Sequence, residues 1–168
     1  MVKIVKADVN HVAGICDVCA KGQWATYGDI YSNEYIERII KEYYEPERVT
    51  KEVTQTSKEW GGYFVAVENG QVIGAGGGGL TSDTVGELYV LYMDPDRRNE
   101  GVGTLLLKAI TEQQKQLGAK EQWLSVQRGN MKGIPFYEAK GFQFKHEQKG
   151  YGNKEGEDYI SLRYYRNI

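Results

Sequence analysis

An arginine and two glycines at fixed spacing, Arg98-x-x-Gly101-x-Gly103, follow a strand-like run and open a stretch with helical periodicity. Without side chains at 101 and 103 the backbone can approach a ligand closely. The first turn of the helix adds N–H groups that lack intrahelical partners and the positive end of its dipole. Such a turn receives an anion, and a pyrophosphate suits it. No phosphate-loop glycine–lysine motif is present, and Leu106 stands where a dinucleotide fingerprint would carry its third glycine, which weakens the mononucleotide and nicotinamide readings. Asn130 and Tyr137 lie seven residues apart, almost two helical turns, and so share a helix face. Glu87 precedes Arg98 by eleven residues on the strand side of the turn. Cys16-x-x-Cys19 has the spacing of a redox dithiol or half a zinc site. A second ligand pair is missing, His11 and His146 are the only histidines, and Val9, Val12, Ile15, Cys16 and Cys19 recur at helical spacing. Both thiols are therefore expected to pack a helix face, and no metal site is expected.

These groups need elements to position them. Val2 to Lys6 alternates as a half-buried strand, and Asp8 caps a helix expected through about Gln23. Ser32 caps a second helix with Tyr35, Ile36, Ile39, Ile40 and Tyr43 on its apolar face, and Pro46 opens a shorter third. Asn69-Gly70 between two apolar runs predicts a hairpin over residues 63 to 80. Gly76 to Gly79 predict a bulge or a close approach in its second arm. A central strand over 84 to 93 stops at Asp94-Pro95-Asp96. The long helix that follows is expected to bury Val102, Leu105, Leu106, Ala109, Ile110 and Leu117, ending at Gly118. Next come a strand at Gln122 to Val126 and a helix from Asn130 to Lys140. A terminal antiparallel pair, Phe142 to Gln148 with Asp158 to Tyr165, completes the order.

At 168 residues the chain is long enough for one domain with a real core, and no linker or repeat divides it. It is 40% hydrophobic and 26% charged, a globular balance. A formal charge of -2 carries no basic footprint for phosphate neutralisation, so nucleic acid is not an expected partner. No apolar run is long enough to span a bilayer and no secretory leader is evident, so neither a membrane nor export is expected and the compartment expected is cytoplasmic.

Arg98-x-x-Gly101-x-Gly103 resembles the Gln/Arg-x-x-Gly-x-Gly/Ala signature of the Gcn5-related N-acetyltransferase (GNAT) superfamily. The flanks resemble it as well: Met93-Asp94-Pro95 ends the upstream strand, Leu105-Leu106 sits in the helix, and Asn130 with Phe136-Tyr137-Glu138-x-x-Gly141-Phe142 follows. The likeness runs in order from about residue 1 to 165. It implies an α/β (α+β) fold, a single domain over 1–168. A mixed central sheet of about six to seven strands, flanked by about four helices, would be splayed at the cofactor site. It also implies acetyl-CoA as co-substrate, with backbone groups of Leu91, Tyr92 and Met93 along the pantetheine arm. Main-chain N–H groups of Asn99, Glu100, Gly101, Val102, Gly103 and Thr104 would cradle the pyrophosphate, with charge from Arg98 or Arg97. Asn130 would hold the cofactor near the pantetheine and Tyr137 would stand near the sulfur.

The implied reaction is direct attack of a neutral amine on the thioester. Tyr137 donates to the departing thiolate, a strand N–H near Leu91 polarises the carbonyl, and Glu87 is the expected base. An ordinary glutamate is a weaker base than an alkylamine by about six powers of ten, so it would act through water. Members that acetylate ribosomal-protein amino termini use a glutamate on the next strand, where this sequence has Ser125. Trp24, Tyr27 and Tyr31, with Tyr35 and the Tyr151 loop, form the expected acceptor wall, which suits cations. A polyamine, a peptide amino terminus and a lysine stand level as acceptors, and either a monomer or a homodimer is expected. The competing expectation is a non-catalytic acyl-CoA-binding or interaction domain.

Overall fold

A computed structural model describes all 168 residues. Seven strands form one sheet in the order β1-β2-β3-β4-β5-β7-β6. They are β1 (Lys3–Lys6), β2 (Tyr63–Glu68), β3 (Gln71–Ser82), β4 (Val85–Met93), β5 (Glu121–Gln127), β6 (Gln143–Lys149) and β7 (Ile160–Asn167). Every neighbouring pair is antiparallel except β4 and β5, which run parallel. Five helices cover it: α1 (Val12–Tyr27), α2 (Asn33–Tyr43), α3 (Pro46–Thr54), α4 (Val102–Gln116) and α5 (Gly133–Ala139). The short α3, which Pro46 starts and Glu45 caps, is the third helix expected there, so the five helices match the element order expected and exceed by one the overall figure of about four. No helix is long and apolar enough to cross a membrane.

Local chemistry accounts for most boundaries. The Ser32 hydroxyl accepts from the Tyr35 N–H at 3.1 Å, a cap worth about 1 kcal/mol. Asn69 and Gly70 both take positive φ, 51° and 77°, the pair a two-residue hairpin turn of this hand requires. Asp8 caps a single 3-10 turn, Val9–His11, and α1 proper begins after it and runs to Tyr27 rather than Gln23.

The core has two sides. On one, α1 to α3 bury Ile15, Val18, Cys19, Ile36, Ile39 and Val49 against Tyr63, Val65 and Ala75. On the other, Leu107 and Ile110 of α4 pack with Leu88, Leu124, Val126 and Phe142, and α5 joins them through Ile134, Phe136 and Tyr137. Cys19 is fully buried and Cys16 packs beside the same cluster, as their helical spacing predicts. The buried face of α4 differs from expectation. Leu107 and Gln114 lie inside, while Leu105 and Leu117 are 43% and 36% exposed. The buried stripe, 103, 106, 107, 110 and 114, has the same helical repeat as the expected face but is rotated by about one residue.

Gly76 to Gly79 stay within β3 and mark both features expected of them. The pairing of β3 with β4 shifts between Gly77 and Gly78, and a Cβ on Gly79 would lie 2.0 Å from the Glu59 carbonyl oxygen. The loop between β6 and β7 rests on α2, where Arg38 donates to the Gly152 carbonyl at 2.9 Å and pairs with Glu157 at 2.5 Å.

Candidate active site

The parallel pairing of β4 with β5 lasts only from Val85↔Glu121 to Leu88↔Leu124. Both strands continue, β4 keeping its partner β3 as far as Met93 and β5 keeping β7 as far as Gln127. The inner edges therefore part while the outer edges remain bonded, and the sheet forks. A bulge coincides with the fork: Gly77 pairs with Val90 and Gly78 with Leu88, so Tyr89 is an extra residue on β4. The extra residue inverts the alternation beyond it. Leu88 and Leu91 both face the α4 side, while Val90 and Tyr92 face α1. Packing holds α1 close here, since a Cβ on Gly22 would lie 2.6 Å from the Tyr92 ring.

A cleft of about 410 Å³ occupies the fork. Its lining includes Leu91, Tyr92 and Met93 of β4, Arg98, Asn99, Gly101, Val102, Gly103 and Thr104 of the glycine turn, and Asn130 and Tyr137 at its far wall. Tyr27, Tyr89, Ser125, Lys132 and Phe136 also face it. The turn itself has an anion-binding shape. Asn99 and Gly101 hold positive φ of 66° and 82°, and the first bond of α4 runs from the Leu105 N–H to the Gly101 carbonyl at 3.1 Å. The N–H groups of Val102, Gly103 and Thr104 therefore precede the helical ladder and point out of its start. At Gly103 an added Cβ would lie 2.6 Å from the Met93 methyl, so a side chain there must displace the end of that methionine.

The two arginines separate. Arg97 lies between two carboxylates, Glu68 at 2.8 Å and Glu100 at 2.9 Å, whereas Arg98 is exposed and lines the cleft. On the opposite wall Asn130 is buried. Its Oδ1 accepts from the Gly133 N–H at 2.7 Å, and its amide donates to the Tyr27 hydroxyl at 3.4 Å. It thus caps the start of α5 and ties that helix to α1 in one residue. Tyr137 stands edge-on to Phe136 and Phe142, with ring centroids 5.3 and 5.7 Å away. Burial pushes its phenol well above the ordinary value, so it stays protonated, and no hydrogen bond holds its hydroxyl. The site thus combines strand edges without a sheet partner, a turn shaped to receive an anion and a neutral phenol.

A family model described as Acetyltransferase (GNAT) family matches residues 24–142. The chain belongs to the GNAT family of acetyltransferases. It is similar to a spermidine N(1)-acetyltransferase of Thermoplasma acidophilum, 27% identical over 99% of each chain. The PaiA N-acetyltransferase of the same organism, solved in complex with coenzyme A, superposes with a TM-score of 0.83 at 25% identity, covering 100% of this chain and 99% of that one. The ribosomal-protein-S18-alanine N-acetyltransferase of Escherichia coli shares the fold, with a TM-score of 0.70 at 17% identity over 100% and 94% of the two chains. The chain is accordingly an acetyl-CoA-dependent acetyltransferase acting on an amine.

Against that identity, four expected site residues fall outside the GNAT cleft. Glu100 is absent from the cleft lining and its side chain turns to Arg97, which leaves the expectation for its main-chain N–H untouched. Trp24 lies on the outer surface of α1, because the residues of that helix facing the cleft are Gly22, Ala25, Thr26 and Tyr27. Tyr31 is buried in a stack, 5.0 Å from Tyr27 and 4.3 Å from Tyr159, so only Tyr27 of the expected aromatic wall lines the cleft. Glu87 lies behind the wall with both oxygens bonded to Arg163, at 2.6 and 2.8 Å, and is 7% exposed. That pairing engages one lone pair of each oxygen, and Glu87 is not among the residues that line the cleft. Sequence reasoning missed Arg163; an arginine in the middle of an aromatic strand, Leu162-Arg163-Tyr164-Tyr165, is a signal that a buried charge needs a partner.

Proposed function

We propose that this GNAT enzyme acetylates a primary amine of a small polyamine-like acceptor. The observation that carries the reading is the likeness to a spermidine acetyltransferase over the whole of both chains. The presence of Tyr27, Tyr89 and Phe136 in the cleft lining supports it, since aromatic rings attract organic cations. Ser125, at a position where amino-terminal acetylating relatives are expected to carry a glutamate, lines the cleft and speaks against a peptide acceptor.

In this reading the glycine turn binds the pyrophosphate of acetyl-CoA through the N–H groups of Val102, Gly103 and Thr104, with Arg98 adding charge. The freed edge of β4 at Leu91 to Met93 pairs with the peptide-like arm. The thioester supplies the activated acetyl group. Tyr27 and Asn130 shape the wall beside the reacting centre, and the Tyr137 phenol donates its proton to the sulfur as the C–S bond breaks and the C–N bond forms. The ammonium proton of the acceptor leaves to water in the open end of the cleft, and a proton from that water restores the Tyr137 phenol.

The test is thiol release from acetyl-CoA with spermidine, spermine, an amino-terminal peptide and a lysine peptide. Spermidine or spermine should exceed both peptides in kcat/KM by about 10-fold or more, the discrimination expected from about 1.4 kcal/mol of differential transition-state binding. Preference for either peptide would overturn the acceptor class, and cofactor binding without turnover of any amine would favour a non-catalytic domain.

A further inference from the structure

The parallel pairing of β4 and β5 ends one residue past Glu87, at Leu88↔Leu124, and the bulge at Tyr89 follows at once. Glu87 is held there from both faces of the sheet. On the α4 side, Gln114 donates to its carbonyl oxygen at 3.0 Å and is itself held by Gln122 of β5 at 3.1 Å. On the α1 side, Arg163 of β7 reaches across β5 and grips both carboxylate oxygens. Arg163 also donates to the Ser125 hydroxyl on β5 at 2.9 Å and lies over the Trp123 ring at 5.3 Å. Three strands are thus cross-tied at the level where two of them separate. A forked arginine–carboxylate pair fixes distance and direction together, which a single point charge does not.

We infer that the Glu87–Arg163 pair is a brace that sets the opening of the fork and so positions the strand edge that receives acetyl-CoA. Arg163 and Glu87 act as positioning residues, through β4 and β5, and neither exchanges a proton with the acceptor. Ser125 couples the brace to the cleft wall, because the residue lines the cleft and its hydroxyl accepts from Arg163. A fork held too loosely would misplace the β4 amides against the peptide-like arm, and misplacement near 1 Å lowers efficiency by about 100-fold.

The experiment compares Glu87→Gln, Arg163→Gln and the double variant. Coenzyme A affinity is read by calorimetry, and KM for acetyl-CoA and for the accepted amine by thiol release. A brace predicts that each single substitution weakens coenzyme A binding about 10-fold or more and raises KM for acetyl-CoA, with KM for the amine unchanged. The double variant should then be no worse than either single one, since each removes the same pair. Unchanged coenzyme A affinity in a folded Glu87→Gln protein that has lost kcat would overturn the brace and return Glu87 to the role of base. If a lone buried charge prevents a single variant from folding, the double variant, which buries none, carries the same readout. Its coenzyme A affinity would be weakened if the brace is real and equal to that of the parent if it is not. The binding readout needs no acceptor, so failure of the polyamine assignment leaves the outcome legible.

Discussion

Replacing Tyr137 by Phe separates the chemistry of this cleft from its packing. The ring is fixed by two edge-on neighbours, Phe136 and Phe142, and the substitution keeps both contacts. Loss of a paired buried hydroxyl ordinarily costs about 1 kcal/mol, but this hydroxyl has no partner inside the protein. Stability should therefore change by less than about 0.5 kcal/mol, which for a chain of this size is a Tm shift of about 2 °C or less. Coenzyme A affinity should also hold. The transition state, however, loses its proton donor, and kcat should fall about 10- to 1000-fold, equivalent to about 1.4 to 4 kcal/mol. The pH dependence has a definite sign. Burial raises the phenol above its ordinary value near 10, so its proton-donating form persists throughout the neutral and mildly alkaline range. Tyr137 should cause no fall in kcat up to about pH 9.5. Its contribution to folding is fully present below the ordinary phenol value and is lost as pH rises toward the raised one. The assays are thiol release with the accepted amine from pH 6 to 9.5, calorimetry with coenzyme A, and thermal unfolding. A Phe variant with wild-type kcat, or one whose lost activity is matched by lost coenzyme A affinity, refutes the proton-donor role.

The glycine turn gives a second outcome. Gly103→Val drives a side chain into the Met93 methyl and should cost about 1 to 3 kcal/mol while abolishing the rise in Tm produced by acetyl-CoA. Gly101→Ala meets no atom within 4 Å, so its cost is the positive φ alone, about 1 to 2 kcal/mol. A folded Gly103→Val protein that still responds to acetyl-CoA would show that the anion sits elsewhere. For the thiols, Cys16→Ala with Cys19→Ala should lower stability by about 1 to 3 kcal/mol, as small truncations of a packed helix face do, and leave turnover intact. Turnover lost at unchanged stability would assign them a redox role.

Signals confined to a few neighbouring residues were legible in the sequence. Asn69-Gly70 announced its hairpin, Ser32 and Pro46 their helices, and Gly101 with Gly103 the anion turn, because each depends on backbone conformation that only certain residues adopt. The β4 residues expected at the cofactor, Leu91, Tyr92 and Met93, do line the cleft, because the end of a strand is itself a local signal. Features that depend on partners far apart in the chain were not. Glu87 and Arg163 are 76 residues apart, and nothing adjacent to Glu87 tells that its carboxylate is already occupied. Trp24 and Tyr31 failed differently. Both read as a wall on composition, but helix phase turns Trp24 to solvent, and the stack with Tyr159 draws Tyr31 into the core. Two neighbouring arginines make the same point, since Glu68 on the hairpin claims Arg97 and leaves Arg98 for the cleft.

The fork explains how one sheet can be both scaffold and binding site. Parting two inner strands would leave unpaired amides buried and costly, yet here the parted edges line a cleft that opens to solvent. An extended, peptide-like arm replaces water there bond for bond, so each strand hydrogen bond contributes only about 0.5 to 1.5 kcal/mol net. Affinity must then come from several such bonds acting together with the charged turn, which requires that the strand edge and the turn keep a fixed separation. Both are carried on β4 and its direct continuation into α4, so any rotation of β4 about the fork moves them as one body relative to β5 and Tyr137. The proposed brace thus assigns control of the thioester's position relative to the phenol to the base of the fork, at Glu87, and the coenzyme A affinity of its variants tests that assignment.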